Sequence, residues 1–284
     1  MSSSVSRSLR EARSPDRALI VEFVGTPGAG KTTLSIELVD LLQERGIEAA
    51  TIIGAARAHA GRTLVGRVIV RLAPSSLRRA LLWQVFYLLS MLHVLGFGRD
   101  HPLLSRQIMR TQLGRSIPPV ERRHVLFWFF QLAGRVRFLT ATSQAREALV
   151  IDDGFLHRSV HLHASHLEDP DADQVIAYVD LLPQPDLVVF TVADKEVCEQ
   201  RIRARGVWPH RRHLNEAALS RYLGNAEKVA GVAARRARER GWTVVEIENG
   251  DRELNRIRGA LAAALDPFLA GASSERGSGT GETK

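Results

Sequence analysis

Eight residues near the start of the chain, Gly25-Thr26-Pro27-Gly28-Ala29-Gly30-Lys31-Thr32, have the residue types and the Gly-x-x-x-x-Gly-Lys-Thr spacing of a phosphate-binding loop. A triphosphate carries several negative charges, and water competes strongly for it. Backbone N–H groups converging from a glycine-rich turn, at the positive end of a helix, answer that charge. Glycines are needed because side chains would block the approach and some positions require positive φ. Lys31 would reach the β and γ phosphates, and the Thr32 hydroxyl would hold magnesium. The expected ligands are therefore ATP and Mg2+, bound by Gly25, Pro27, Gly28, Ala29, Gly30, Lys31, Thr32 and Thr33.

A second constellation lies far along the chain. Asp152 and Asp153 close the apolar run Ala148-Leu149-Val150-Ile151. A magnesium nucleotide site uses an acid at the end of a neighbouring strand to orient the ion or its waters. In phosphoryl transfer such an acid can instead take the proton of an acceptor hydroxyl. Neighbouring strand residues face opposite ways, so the two aspartates would divide these roles. Thr32 and Asp152 are the expected metal ligands and both aspartates the expected catalytic carboxylates, with the division of labour left open. The plainer reading is a solvated acid pair. Arg158, five residues on, would bind an acceptor phosphate or the transferring phosphoryl group.

Arginines form the third group. Arg201, Arg203 and Arg205 fall on one predicted helix, with Arg211 and Arg212 beyond the loop Gly206-Val207-Trp208-Pro209-His210. Planar guanidinium groups match the charge spread over a moving phosphoryl group. Arg201 and Arg205, four apart, share a helix face, whereas Arg203 points elsewhere. Helix, loop and arginines over about 200–215 read as a closing lid; the plainer reading is a basic helix in an arginine-rich chain.

These residues need elements to position them. Leu19 to Val24 is a near-continuous apolar run ending in glycine, the pattern of a buried parallel strand. Thr32 to Glu44 carries Leu34, Leu38, Leu41 and Leu42 at helical spacing and stops at Gly46. Ala49 to Ile53 reads as a second strand, completing a βαβ unit. Further strands are expected at 148–153, 186–192 and 242–247, and helices at 196–205, 215–240 and 253–269. The fold class is α/β, a doubly wound parallel sheet of about five strands. Residues 57–146 read as a helical insertion into a domain spanning 18–270. Its strongest helical stretches are 81–97 and 125–139, with a basic, proline-containing segment between them.

Composition sets the outer limits. The 284 residues are 45% hydrophobic and 25% charged, a globular balance, and the lone cysteine, Cys198, excludes an internal disulfide framework. Only four of the 39 basic residues are lysine, and no arginine run is interleaved with stacking aromatics. The net charge of +8 therefore suits polyanionic nucleotides, and nucleic acid is not the expected partner. No signal peptide is visible, and the expected location is cytoplasmic. The polar ends, 1–17 and 271–284, are expected to be disordered.

The order of these parts resembles the thymidylate kinase and deoxynucleoside kinase group of P-loop kinases, part of the P-loop NTPase class. The resemblance rests on the phosphate loop, on Asp152-Asp153-Gly154 with Arg158, and on Pro185-Asp186-Leu187 leading into Arg201-Ile202-Arg203-Ala204-Arg205-Gly206. It covers roughly 18–53 and 148–268. It implies ATP-dependent phosphorylation of a small acceptor. Lys31 would serve the phosphates, Thr32 the magnesium, Asp152 or Asp153 the metal or base role, Arg201 and Arg205 the lid, and Asn249-Gly250 the nucleotide base. Thymidylate kinases carry a Glu-Pro-Gly-Gly type segment and an Asp-Arg-Tyr type segment where this chain has Gly54-Ala55-Ala56-Arg57 and Asp152-Asp153-Gly154-Phe155. Thymidylate is thus not the expected acceptor, which would lie against the insertion.

Leu81 to Phe97 holds no charge and contains Trp83, Phe86, Tyr87 and Phe97. A buried helix pair is the main reading, with a peripheral membrane contact through 81–97 as the other, helped by Arg78, Arg79 and Arg99. A homodimer is a further open expectation. His157, His161, His163 and His166 crowd one segment, but a zinc site needs three or four convergent ligands, so a polar helix face near the acceptor pocket is expected. The main expectation is a small-molecule kinase. The competing one is a nucleotide switch or regulatory ATPase acting through its insertion; a GTPase lacks support because no Asn-Lys-x-Asp segment follows a strand.

Overall fold

The computed structural model describes residues 17–114, 119–144, 147–207, 214–250 and 254–274. Five strands, β1 (Leu19–Gly25), β2 (Glu48–Thr51), β3 (Glu147–Ile151), β4 (Leu187–Val192) and β5 (Val244–Glu248), make one sheet in the order β2-β3-β1-β4-β5. Every neighbouring pair is parallel, with Leu19 opposite Ala148 and Val21 opposite Leu187. This is the expected doubly wound α/β sheet.

β1 is central because both of its faces are covered. Leu19, Val21 and Phe23 pack with Leu34, Leu38 and Leu42 of α1 (Lys31–Glu44). The intervening side chains face the other layer. There Val24 shares a core with Phe155 and Val160, and with Tyr222 and Val229 of the long helix Glu216–Glu239. Each such large apolar side chain, fully buried, contributes about 1.5–3 kcal/mol of burial free energy. That alternation puts Glu22 on the second face, among apolar neighbours.

Between β2 and β3 lie α2 (Ile52–Arg62), α3 (Leu64–Leu72), α4 (Ser75–Asp100), α5 (Pro102–Gly114) and α6 (Pro119–Thr142), with no strand among the described residues. The basic segment between the two apolar stretches is thus itself largely helix. α4 buries Leu82, Phe86, Ser90 and Phe97 along one face and leaves Leu88, Leu92 and Leu95 exposed. Phe86 meets Phe138 of α6 edge-on at 5.6 Å. Phe97 stacks at 5.4 Å on Phe155, the first residue of α7 (Phe155–His163). The insertion therefore rests on the helix that follows the aspartate pair.

The remaining helices are α8 (Ala172–Asp180), α9 (Lys195–Arg205), α10 (Glu216–Glu239) and α11 (Leu254–Ser274). α8 is additional to the sequence reading; the Asp171 side chain caps it by accepting from the N–H groups of Asp173 and Gln174. β2 ends at Thr51 rather than Ile53, because the Thr51 side chain accepts from the Gly54 N–H and starts α2 one residue on. β3 ends at Ile151, so Asp152 and Asp153 occupy the turn after the strand. Strand alternation therefore does not govern where the aspartates point, which corrects that expectation. The expected terminal tails lie outside the described residues, apart from Arg17 and 271–274, the last four being the end of α11 rather than a disordered tail.

Candidate active site

The phosphate loop joins β1 to α1 at the carboxyl edge of the sheet. Gly30, with φ 88° and ψ 17°, is the N-cap of α1, and no side chain caps the helix. Its first N–H groups are thus left to whatever anion meets the positive end of the helix. A Cβ at Gly30 would sit 2.0 Å from Asn249 Nδ2, so both conformation and space demand glycine. Gly25 ends β1, Pro27 and Ala29 are buried, and the Ala29 N–H donates to the Thr26 carbonyl at 3.0 Å to close the turn. Gly28 also adopts positive φ, while Thr32 and Thr33 are exposed at the start of the helix.

Lys31 Nζ donates to the carbonyls of Gly25 and Thr26 at 3.0 and 3.1 Å, which holds the ammonium over the loop. Burial pushes its pKa down to about 8, against the upward pull of Asp153, Cys198 and Asp152.

The two aspartates have different partners. The Thr32 hydroxyl donates to Asp152 Oδ2 at 2.9 Å across 120 positions of sequence. Asp153 Oδ2 lies 2.9 Å from Arg158 Nη2, and its Oδ1 lies 3.7 Å from His157 Nε2 and 3.6 Å from His161 Nε2. Burial alone would raise the Asp153 pKa, but Arg158 and the two histidines more than offset it and hold the carboxyl well below the usual range. Burial, then Lys31, push the His157 pKa below its ordinary value, against the pull of Asp153.

The donor set fits both expected ligands. A hydroxyl and a carboxylate oxygen at hydrogen-bond distance are hard donors of the kind Mg2+ takes, and the uncapped helix end with Lys31 suits a phosphate. Asp153, His157 and His161 also lie within 4.8 Å of one another. Zinc does not suit that cluster, since Arg158 already engages the carboxylate and Lys31 adds a second positive charge nearby. The predicted polar face of α7 is there, with Asp153 added to it.

One residue of the site escaped the sequence reading. Glu22, in the middle of β1 and buried, accepts the Leu156 N–H at 3.0 Å with Oε2. A Cβ on Gly154 would come within 2.6 Å of the Glu22 carboxyl carbon, so the aspartate turn is folded tightly over it. Burial raises its pKa to about 7; the backbone N–H groups of Leu156 and Phe155 pull the other way. The available signal was a lone carboxylate inside the apolar run of a strand buried on both faces.

Arg201 does not reach outward. Its guanidinium donates to the carbonyls of Asn249 and Gly250 at 3.0 Å, and of Gly28 at 3.4 Å, while Asn249 Nδ2 donates to the Ala29 carbonyl at 2.7 Å. Arg201 and Asn249 thus tie the loop after β5 to the phosphate loop. Arg205, at the exposed end of α9, lies within electrostatic reach of Lys31. Arg203 pairs with Glu216 at 2.5 Å, away from these groups. Arg211, Arg212 and the loop positions 208–210 lie outside the described residues. A cavity lined by Gln43, Ala49, His59, Arg62 and Glu147 opens at the amino ends of β2 and β3, the opposite edge from Asp152.

No protein-family model matches the chain, and no curated protein sequence matches it. Among solved structures the chain is similar to deoxyadenosine kinase from M. mycoides. With bound dCTP, the TM-score is 0.42 at 11% identity, covering 87% of this chain and 99% of that one. With the products dCMP and a flexible dCDP, the TM-score is 0.45 at 12% identity, covering 88% and 100%. With bound dATP it is 0.40 at 12% identity, covering 87% and 100%.

Proposed function

We propose that this chain is an ATP-dependent kinase that transfers the γ-phosphoryl group to a hydroxyl of a small acceptor. The observation that carries the reading is the split of the aspartate turn. Asp152 faces the Thr32 hydroxyl of the phosphate loop, while Asp153 faces Arg158 and two histidines. A site that only binds and releases a nucleotide needs the first pair; a site with a second, differently charged half three residues wide is suited to a second substrate.

Under this reading the uncapped start of α1 and Lys31 bind the β and γ phosphates. Thr32 and Asp152 would hold Mg2+, which neutralises charge on the phosphate oxygens. Asp153 orients the acceptor hydroxyl and receives its proton. Its ionised state suits a loose transition state, in which the proton leaves late and a strong base is not required. Arg158 stabilises negative charge on the transferring group, and Arg205 closes over Lys31 from α9. Arg201 acts as a positioning residue through the Asn249 loop. Glu22 shapes the Gly154 turn from beneath.

The test is a screen of nucleosides, nucleotides, sugars and aminoglycoside-like acceptors for ADP release, with Lys31→Ala as the control. The expected result is one acceptor class that raises ADP release well above both the control and the acceptor-free rate. If no acceptor does so while binding of a protein partner depends on ATP, the switch reading replaces the kinase.

A further inference from the structure

α3 is amphipathic in the wrong sense for a helix of a soluble core. Gly66 is its buried residue, packed against Ala60 and Gly61 of α2, while Leu64, Val65, Val68 and Leu72 are 75%, 60%, 56% and 74% exposed. At 100° per residue these four side chains fall within one quadrant or so of the helix, with Arg67 and Arg71 along its border. The next helix continues the character: Leu77 and Leu81 are exposed at the start of α4, beside Arg78 and Arg79.

Charge says what covers this face. No acidic residue occurs anywhere from Ala49 to Arg99, whereas arginines recur through the same stretch. Among the described residues no ion pair engages Arg67, Arg71 or Arg79. A symmetric contact with a second copy would bring these arginines against their own counterparts with no carboxylate between them. An anionic lipid surface suits both features at once, taking the aliphatic side chains into the acyl boundary and the guanidinium groups among the headgroups.

We propose that the corner formed by α3 and the first turns of α4, residues 64–81, docks on an anionic lipid membrane, with α3 lying in the plane of the interface. This moves the contact expected from sequence toward the amino end. α4 is itself long and apolar enough to cross a membrane, and Leu82, Phe86, Ser90 and Phe97 are the residues by which it packs on the protein. The kinase would then meet its acceptor close to a membrane, which restricts the acceptor to molecules found there. Docking requires neither nucleotide nor acceptor, so its failure would leave the phosphoryl-transfer reading standing.

The test is co-sedimentation of the full chain with vesicles of phosphatidylcholine alone and of phosphatidylcholine mixed with phosphatidylglycerol. Binding to the anionic vesicles is expected, weakening with added salt. Arg67→Ala and Arg71→Ala should each weaken it roughly fivefold, and Val65→Glu with Val68→Glu by more than about tenfold. Both pairs lie on exposed positions, so melting temperature and ATP binding should not change. The proposal is overturned if wild type fails to bind anionic vesicles, or if the variants bind as well as wild type. It is also overturned if Val65→Glu with Val68→Glu converts a dimer to a monomer in sedimentation velocity without changing vesicle binding, which would assign the face to a second copy.

Discussion

Asp152 and Asp153 are chemically identical and adjacent, and their contacts separate them. The partner of Asp152 is a hydroxyl on the phosphate loop, and that of Asp153 is a guanidinium on α7. Removing each charge should therefore have a different signature in a magnesium titration of the initial rate. Asp152→Asn is expected to raise the half-saturating Mg2+ concentration about tenfold or more. Asp153→Asn is expected to lower kcat on the order of 100-fold with the Mg2+ midpoint unmoved. Identical shifts from both variants would count against the assignment. Glu22 makes a separate prediction about stability. Its pKa rises from an ordinary 4.5 to about 7 in the folded chain, so the folded state holds the proton more tightly than the unfolded state. Its contribution is fully present at low pH and is lost as pH climbs toward and through 7. Glu22→Gln should then stabilise the protein relative to wild type at pH 8, by on the order of 2–3 kcal/mol, with little effect at pH 4. Urea unfolding of both proteins at the two pH values reads this directly; a pH-independent difference would contradict it.

At the scale of elements, the site is a contest for space between the β1 strand and the turn after β3. Gly154→Ala would place a methyl group 2.6–2.8 Å from three atoms of the Glu22 side chain. The expected cost is about 1–3 kcal/mol, and it should shrink when Glu22 is also replaced by alanine. A double-mutant cycle by chemical denaturation measures that coupling, and a cost that stays the same in both backgrounds would place the strain elsewhere. These same elements show what sequence could and could not reveal. The phosphate loop is contiguous, so its residues, order and flanking strand and helix were all legible. The pairing of Thr32 with Asp152 and the packing of Glu22 under Gly154 join residues more than 100 positions apart, and periodicity carries no information on such contacts. Arg201 read as a lid residue because helix spacing shows which face a side chain shares, not which carbonyls lie opposite. The strand ends slipped for a local reason, as at Thr51, where one hydroxyl turns a strand into a helix cap.

For the molecule as a whole, the α2–α6 layer is joined to the sheet and to the helix after the aspartate turn through apolar contacts. Phe86 packs edge-on against Phe138 within the layer and shares a core with Leu149 of β3, and Phe97 lies on Phe155 beside the aspartate turn. Phe86→Ala should lower global stability by about 3–5 kcal/mol in thermal or chemical unfolding, in one cooperative transition. A separate early transition would instead mean that the helical layer unfolds on its own. The arrangement puts the phosphate loop on one side of the aspartate turn and Arg158, His157 and His161 on the other, and under the proposed function one turn would serve two substrates. The most direct measurement of that claim follows the label from γ-labelled ATP. Wild type incubated with a pool of small hydroxyl-bearing acceptors should move the label into an acceptor, Lys31→Ala should move none, and Asp153→Asn should bind ATP but transfer little. Label that appears only as inorganic phosphate, at the same rate in wild type and Asp153→Asn, would contradict the account.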